Sequence, residues 1–181
     1  MGVRPDGDYN FSKDDQHISN MLNQSLFATT AVVKQRNAVK IDKDLDLRKF
    51  GPLGCRYVTG SGTVLNALQP RPGQTIAVFG TGAVGLAAMM AAKISGCTKI
   101  IAVDRNDNRL ELAKELGATH TINTNDAEPV QAIRALTNGY GVDFSIETTG
   151  APVITKAAID ALTTGGDLCR NRRYFQFRQH Q

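Results

Sequence analysis

The stretch Thr75-Ile-Ala-Val-Phe-Gly-Thr-Gly-Ala-Val-Gly85 decides the fold, because it joins a short apolar run to a cluster of glycines. The apolar run predicts a buried strand over residues 75–80, and the segment that follows predicts a helix over 83–95. A second apolar run, Lys99-Ile-Ile-Ala-Val-Asp104, predicts the next strand. A strand, a glycine-rich turn, a helix and a second strand in this order form a βαβ unit.

Three glycines, Gly80, Gly82 and Gly85, have the GxGxxG spacing. In such a loop the first glycine permits a tight turn, the second leaves room for a pyrophosphate beside backbone N–H groups, and the third lets helix and strand pack closely. The helix N-terminus then favours phosphate. Asp104 ends the second strand, where a carboxylate accepts hydrogen bonds from ribose hydroxyls. The pattern predicts a dinucleotide site; a methyltransferase-type Rossmann fold is the alternative, and the third glycine favours the dinucleotide.

Strands and helices continue to alternate towards the C-terminus. The pattern predicts helices over 107–116, 129–137 and 152–162, and strands over 120–123, 142–149 and from Gly165 onwards. Glu147 lies near the end of an apolar strand, where we expect it to face solvent or a neighbouring helix. Repeated βα units imply right-handed crossovers and helices on both faces of a parallel sheet. The predicted fold class is therefore α/β, a doubly wound parallel sheet that is incomplete because its sixth strand is missing.

The flanking segments lack this alternation. Residues 1–25 are polar and turn-rich and predict an exposed loop, whereas 26–41 predict two short strands and 45–69 predict a helical lead-in. Four arginines lie among residues 170–181 and account for most of the net charge of +4. We predict a short unstructured tail there; stacking of its basic and aromatic side chains on nucleic acid is the alternative.

The composition is that of a globular protein, with 41% hydrophobic and 21% charged residues. No apolar run approaches the roughly 18 residues of a membrane span, and the N-terminus lacks the apolar core of a signal peptide. The three cysteines, Cys55, Cys97 and Cys169, lie far apart, which argues against a disulfide framework and favours a reducing cytoplasm. The three histidines lack the spacing of a metal-binding pair.

Several motifs besides the glycine loop resemble the zinc-dependent medium-chain alcohol dehydrogenases, in particular the aryl-alcohol (benzyl-alcohol) type. They are Gly51-Pro-Leu-Gly-Cys55, Thr59-Gly-Ser-Gly-Thr63, Ala113-Lys-Glu-Leu-Gly-Ala118 and Gly141-Val-Asp-Phe-Ser-Ile-Glu-Thr-Thr-Gly150. The resemblance implies oxidation of an alcohol to an aldehyde by hydride transfer to NAD, with a catalytic zinc. It also implies a remnant of a GroES-like catalytic domain over 1–50, an NAD-binding Rossmann domain over 51–169 and an unrelated basic tail over 170–181.

The resemblance also implies roles for single residues. Cys55 matches a ligand of the catalytic zinc, and Thr59 matches a neighbour of the nicotinamide. The remaining matches lie at the cofactor site: the pyrophosphate loop Gly80, Gly82, Ala83, Val84 and Gly85, the ribose acid Asp104, the basic Arg109 at the adenosine ribose, and Thr148 and Thr149 at a strand end. Asp104 would repel a 2′-phosphate, so NAD is favoured over NADP.

Parts of the family pattern are missing from this sequence. The family's other zinc ligands and its four-cysteine loop would precede residue 1, and its dimerisation strand would follow residue 181. Cys55 is the single surviving zinc ligand, and Arg56 stands where the family has a small residue. We therefore expect an NAD-binding portion that holds no zinc, is inactive alone, and contacts neither nucleic acid nor membrane. A non-catalytic NAD-binding module and a non-functional gene remnant are the alternatives.

Overall fold

The computed structural model describes Gly7, Tyr9 and residues 11–18, 29–30, 33–170 and 173–176. The chain divides into two compact units, Met1–Leu45 and Asp46–Gln181. The first unit holds an antiparallel hairpin of β1 (Phe11–Lys13) and β2 (Gln16–Ile18). Its two turn residues, Asp14 and Asp15, have φ values of 49° and 59°, which suit a two-residue hairpin turn. The prediction of a loop over 1–25 was thus wrong for 11–18, because both strands are exposed and show no apolar alternation.

The two strands predicted over 26–41 are not found in the part of that range that the structure describes. Residues 33–41 instead contain a short 3₁₀-helix, Gln35–Asn37, between extended segments. Val39 is 85% exposed, so its apolar side chain has no sheet to pack on within the first unit. Residues 26–28, 31 and 32 lie outside the described residues.

The predicted helical lead-in is confirmed. It consists of α1 (Leu47–Phe50), a π-helical segment (Leu53–Tyr57), α2 (Val58–Gly62) and a second π-helical segment (Thr63–Leu68). Asp46 caps α1 by accepting a hydrogen bond from the Arg48 N–H at 3.2 Å. Gly60 lies directly against the helix that follows the glycine-rich turn, since a Cβ there would be 2.1 Å from the Val84 carbonyl oxygen.

A six-stranded sheet forms the body of the second unit, in the order β5-β4-β3-β6-β7-β8. The strands are β3 (Thr75–Phe79), β4 (Lys99–Asp104), β5 (His120–Asn123), β6 (Val142–Glu147), β7 (Leu162–Arg170) and β8 (Arg173–Gln176). The helices are α3 (Ala83–Ile94), α4 (Asp107–Leu116), α5 (Pro129–Leu136) and α6 (Pro152–Asp160). Within this sheet the five strands β3 to β7 are parallel to one another, so the predicted doubly wound sheet is confirmed.

Two apolar layers cover the two faces of this sheet. On one face Ile76 and Val78 pack with Met89 of α3. On the other face Ala77 and Phe79 pack with residues of α5 and α6 such as Ile133. Strands buried on both faces explain why β3 and β4 read as continuous apolar runs rather than as alternating ones.

The last strand differs from the prediction. Residues 173–176 form β8, which pairs antiparallel with β7 in a register that joins Leu168 to Phe175 and Arg170 to Arg173. The expectation of an unstructured tail was therefore wrong over these four residues. The connection from Arg170 to Arg173 has only two residues, so a local hairpin takes the place where a parallel sixth strand would need a crossover.

Candidate functional site

The strand order reverses beside β3, because β4 pairs with one edge of it and β6 with the other. The loops that leave the carboxyl ends of these strands diverge to opposite faces and open a crevice, which is where doubly wound sheets bind ligands. A groove of about 590 Å³ lies at this point. Its lining comprises Phe79, Gly80, Gly82, Val103, Asp104, Arg105, Arg109, Thr124, Thr148, Thr149, Ala151 and Ile154.

The glycine-rich turn forms one wall of the groove, and its three glycines have different surroundings. Gly80 has a φ of +96°, and a Cβ there would lie 2.4 Å from the Thr148 hydroxyl oxygen. At Gly85 a Cβ would lie 2.0 Å from the carbonyl oxygen of Gly80. At Gly82 a Cβ would meet no atom within 4 Å, so that position opens onto the groove. Gly80 and Gly85 therefore allow the turn to pack closely, and Gly82 leaves it open towards the groove.

The N-terminus of α3 follows this turn directly. Within the described residues no side chain caps it, and the Leu86 N–H makes the first helical bond to the carbonyl of Gly82 at 2.9 Å. Uncapped N–H groups at a helix start, together with the positive end of the helix dipole, favour an anion. The open side at Gly82 gives an anionic group access to them.

Asp104 lies beside this turn on the groove, and its carboxylate accepts hydrogen bonds from four donors. Oδ2 accepts from the Thr81 N–H and hydroxyl at 2.8 and 2.7 Å, and Oδ1 accepts from the N–H groups of Arg105 and Asn106 at 2.7 and 3.1 Å. Partial burial alone would raise the pKa of Asp104, but the hydrogen bonds from Thr81, Arg105 and Asn106 outweigh it and lower the pKa below its usual value. The group is thus a fixed carboxylate at neutral pH.

Two arginines flank this carboxylate on the groove. Arg105 and Arg109 are both exposed and both line the cavity. The Arg109 backbone N–H bonds to the Asn106 side chain, which caps α4. The predicted adenosine-side residue Arg109 therefore lies in the same groove as Asp104.

The loop after β6 forms a third side of the groove. Thr148 ties this loop to the glycine-rich turn, because its hydroxyl donates to the carbonyl oxygens of Phe79 at 3.0 Å and Gly80 at 3.3 Å. Thr149 is exposed towards the groove, and its hydroxyl donates to Glu147 at 2.6 Å. Glu147 itself is 0% exposed, which contradicts the reading that it faces solvent; Thr155 of α6 lies 3.5 Å from its other oxygen.

A smaller cavity of about 90 Å³ lies beside the groove. It is lined by Cys55, Thr59, Thr63, Val84, Ile146, Glu147, Thr148 and Cys169. Of the residues predicted from the sequence, Gly80, Gly82, Asp104, Arg109, Thr148 and Thr149 line the groove, whereas Cys55, Thr59 and Val84 line this cavity. Thr148 borders both spaces, while Ala83 and Gly85 lie in the first turn of α3 and border neither.

The surroundings of Cys55 do not fit a zinc ion. Among the residues that the structure describes, no cluster of three or more His, Cys, Asp or Glu side chains could hold a metal. Cys55 is exposed, and Cys169 on the same cavity is buried. Burial raises the pKa of the Cys169 thiol, which a hydrogen bond with Thr63 partly offsets. Within the described residues, the cavity lined by Cys55 and Cys169 therefore lacks the three protein ligands of a catalytic zinc site.

Sequence reasoning missed two contributors to the site. Thr81 lies between two glycines of the motif, and nothing in the pattern indicates that its side chain bonds to Asp104. The role of Glu147 was also missed, although an acid that ends an apolar strand just before Thr-Thr-Gly is a usable signal.

Within the described part of the chain, no helix has the length and apolar character needed to cross a membrane.

Several known proteins are similar to this chain in sequence. Residues 83–170 match the profile of the zinc-binding dehydrogenase family. The chain is 42% identical to geraniol dehydrogenase of Castellaniella defragrans, over 82% of this chain and 40% of that protein. It is 41% identical to the alcohol dehydrogenase class-2 isozyme 2 of Oryctolagus cuniculus, over 88% and 42% of the two chains.

A solved structure has a similar fold. The crystal structure of benzyl alcohol dehydrogenase from Acinetobacter calcoaceticus superposes with a TM-score of 0.80 and 43% identity, over 94% of this chain and 46% of that one. The chain thus spans somewhat less than half the length of these three proteins.

Proposed function

Because the chain carries the zinc-binding dehydrogenase domain of the medium-chain alcohol dehydrogenases, we propose that it is the NAD-binding portion of such an enzyme. One observation supports this most: an open glycine turn at a helix start and a fixed carboxylate, Asp104, line the same groove and are joined through Thr81. When bound, NAD would supply the acceptor for the hydride of an alcohol. The domain division into 1–50, 51–169 and 170–181 is part of the same proposal.

The residues of the groove fit a dinucleotide. The cradle is open at Gly82, where a pyrophosphate would approach the N–H groups of α3, and no side chain at Gly80 or Gly85 could fit without displacing backbone or Thr148. The Asp104 carboxylate would accept hydrogen bonds from the ribose hydroxyls, and Arg109 would lie beside it. Thr148 and Thr149 would bound the cofactor on the β6 side, and Val84 and Thr59 would lie towards the nicotinamide.

Asp104 also carries our proposal that NAD is preferred over NADP. A 2′-phosphate at this ribose would meet a carboxylate that its four hydrogen bonds keep ionised and fixed. Arg105 and Arg109 are the groups that could attract such a phosphate, and both are exposed to solvent, where charge interactions are weak.

The whole enzyme would oxidise an alcohol, and we propose that this chain alone does not perform that reaction. Cys55 is the candidate zinc ligand, and the described residues offer no second and third ligand around it. The exposed Arg56 adds a positive charge next to Cys55 in the chain, which would oppose a cation there. The parent reaction would convert a small alcohol to an aldehyde. The three cysteines lie far apart in the sequence and form no CxxC pair, which supports a reducing compartment, for which we propose the cytoplasm.

Titration with NADH and NADPH tests the cofactor proposal. The chain has no Trp, so the fluorescence of the cofactor itself can be followed without interference. We expect NADH to bind at least roughly tenfold more tightly than NADPH, and Asp104→Asn to remove most of that difference. Asp107→Asn is the matched control, because Asp107 is an exposed acid three residues away that bonds to Asn123 and does not line the groove. Equal affinity for both cofactors, or unchanged NADH binding in Asp104→Asn, would refute the proposal.

Assays with benzyl alcohol or ethanol, NAD and added zinc test the proposal that this chain alone does not oxidise alcohols. We expect no turnover and no stoichiometric metal. Turnover that disappears in Cys55→Ser, together with bound zinc, would show that a ligand set exists and that the chain is catalytic by itself.

A further inference from the structure

A buried acid that the cofactor proposal does not use lies directly beneath the groove. Glu147 is the last residue of β6, where it is paired with Phe79 on β3 and with Arg170 on β7. It is 0% exposed. Burying a carboxylate in this way is costly unless donors satisfy it, so its surroundings bear on its role.

The donors that satisfy Glu147 come mainly from the loop that follows it. Oε1 accepts from the Thr149 N–H at 2.5 Å, the Thr149 hydroxyl at 2.6 Å and the Gly150 N–H at 2.8 Å. The Ala151 N–H in turn donates to the Thr149 hydroxyl oxygen at 3.2 Å. The loop Thr148–Ala151 is therefore folded over one carboxylate oxygen, with Gly150 at a φ of +77° completing the turn.

This same loop forms a wall of the groove next to the glycine-rich turn. Thr148, Thr149 and Ala151 all line the groove, and the Thr148 hydroxyl bonds to the backbone of Phe79 and Gly80. The loop therefore has two anchors, Thr148 on the glycine-rich turn and the Glu147 carboxylate under Thr149 and Gly150. Glu147 itself does not line the groove.

We propose that Glu147 is a positioning residue of the cofactor site, which sets the conformation of the loop Thr148–Ala151. This rests on the proposed function, since it assigns a role towards the same cofactor. The charge contributes as well as the shape, because hydrogen bonds to a carboxylate are stronger than those to a neutral amide. Glu147 acts through Thr148 and Thr149 and does not touch the reacting atoms.

The test compares NADH affinity with local and global stability in two variants. Glu147→Leu removes the acceptor at similar volume, and we expect it to weaken NADH binding roughly tenfold. Glu147→Gln keeps a neutral acceptor, so we expect a partial rescue, to a loss of roughly two- to fivefold. In both variants the amides of Thr149 and Gly150 should exchange hydrogen faster than in the wild type, while those of β3 and β4 stay protected.

Ser145→Ala is the matched control for simple destabilisation. Ser145 lies on the same strand, is also 0% exposed, and bonds to the Ala158 carbonyl at 2.8 Å rather than to the loop. It should lower the free energy of unfolding and leave the NADH affinity of the folded protein within about twofold of the wild type. Loss of affinity in this control equal to that in Glu147→Leu would overturn the proposal.

A second pair of variants serves if Glu147→Leu does not fold. Thr149→Val removes one donor to Glu147 and keeps the side-chain shape, whereas Thr149→Ser keeps the donor. Faster exchange at the Gly150 amide in Thr149→Val but not in Thr149→Ser supports the proposal, and equal exchange in the two contradicts it. NADH affinity is not the readout for this pair, because Thr149 itself lines the groove. If the wild type does not bind NADH, the proposed function fails, and this proposal fails with it. Normal NADH binding in Glu147→Leu would overturn the positioning role alone.

Discussion

The hydroxyl and the backbone N–H of Thr81 both donate to the same oxygen of Asp104, at 2.7 and 2.8 Å. Thr81 is 1% exposed, so this contact is protected from water. It joins the glycine-rich turn after β3 to the acid at the end of β4, which are 23 residues apart in the chain. The two parts of the site that the sequence motif treats as separate signals are thus one hydrogen-bonded unit.

Replacing Thr81 should alter the hydrogen bonding of the Asp104 carboxylate, although Asp104 itself is not replaced. Thr81→Val keeps the side-chain shape but removes one donor, so the pKa of Asp104 should rise towards its usual value. We expect NADH affinity to fall roughly three- to tenfold, in line with the loss of one hydrogen bond to a charged group. Titration of NADH affinity against pH checks this, and Thr81→Ser, which restores the donor, should behave like the wild type.

The same pair of residues predicts an acid-sensitive part of the stability. The pKa of Asp104 is lower in the folded than in the unfolded chain, so its stabilisation is complete at neutral pH and is lost as the pH falls through the folded value. Urea unfolding across the acidic range should show a smaller acid-dependent loss of stability in Thr81→Val than in the wild type, because the folded and unfolded pKa values of Asp104 lie closer together in the variant. Coinciding pH profiles would mean that the hydroxyl does not set the pKa.

Two glycine substitutions should separate binding from folding. Gly82→Ala adds a methyl group into open space, so we expect a change in stability within about 0.5 kcal/mol but weaker NADH binding. Gly85→Ala places a Cβ 2.0 Å from the Gly80 carbonyl oxygen, so we expect a loss of about 1–3 kcal/mol or more. Thermal unfolding and NADH titration of both variants check this, and similar stability losses in the two would contradict the described geometry.

Removing β8 should expose a sheet edge. A chain that stops after Arg170 leaves β7 unpaired along its outer side, and unpaired strand edges associate with other chains. We expect concentration-dependent aggregates by light scattering. A chain that lacks only residues 177–181 retains β8 and should behave like the full chain; aggregation of both or of neither would argue against edge protection.

The three cysteines should differ in reactivity. Cys55 is exposed, whereas burial and the negative charge of Asp143 raise the pKa of Cys97 to about 11, and burial raises that of Cys169. Because the thiolate is the reactive form, iodoacetamide at about pH 8 should modify Cys55 at least roughly tenfold faster than the other two. Mass spectrometry of the modified peptides measures this. In urea the three rates should converge, and early modification of Cys97 in the folded protein would contradict the structure.

The sequence predicted the parts of the fold that depend on local patterns. Continuous apolar runs identified β3 and β4, and the glycine spacing identified the turn between β3 and α3. The failures share a cause. The strands β1 and β2 are exposed and depend on pairing with each other rather than on burial of an apolar face, and β8 pairs with β7. A single-chain pattern does not reveal such pairing.

The site was predicted less completely than the fold. Backbone positions followed from the glycine motif, so Gly80, Gly82 and Asp104 were expected together in one groove. The side-chain contacts of Thr81 and Glu147 depend on tertiary structure: each bonds to a residue or loop whose position is fixed only when the sheet has formed.

The central position of β3 also has a consequence for synthesis of the chain. One edge of β3 pairs with β4 soon after both are made, but the other waits for β6; Thr75 and its partner Asp143 are 68 residues apart. At about 5–20 residues per second, ribosomal elongation takes roughly 3–14 seconds to supply that partner. During this interval β3, four of whose five residues are buried in the folded protein, presents an open backbone edge, so the exposure of this strand lasts as long as the synthesis of the segment between β3 and β6.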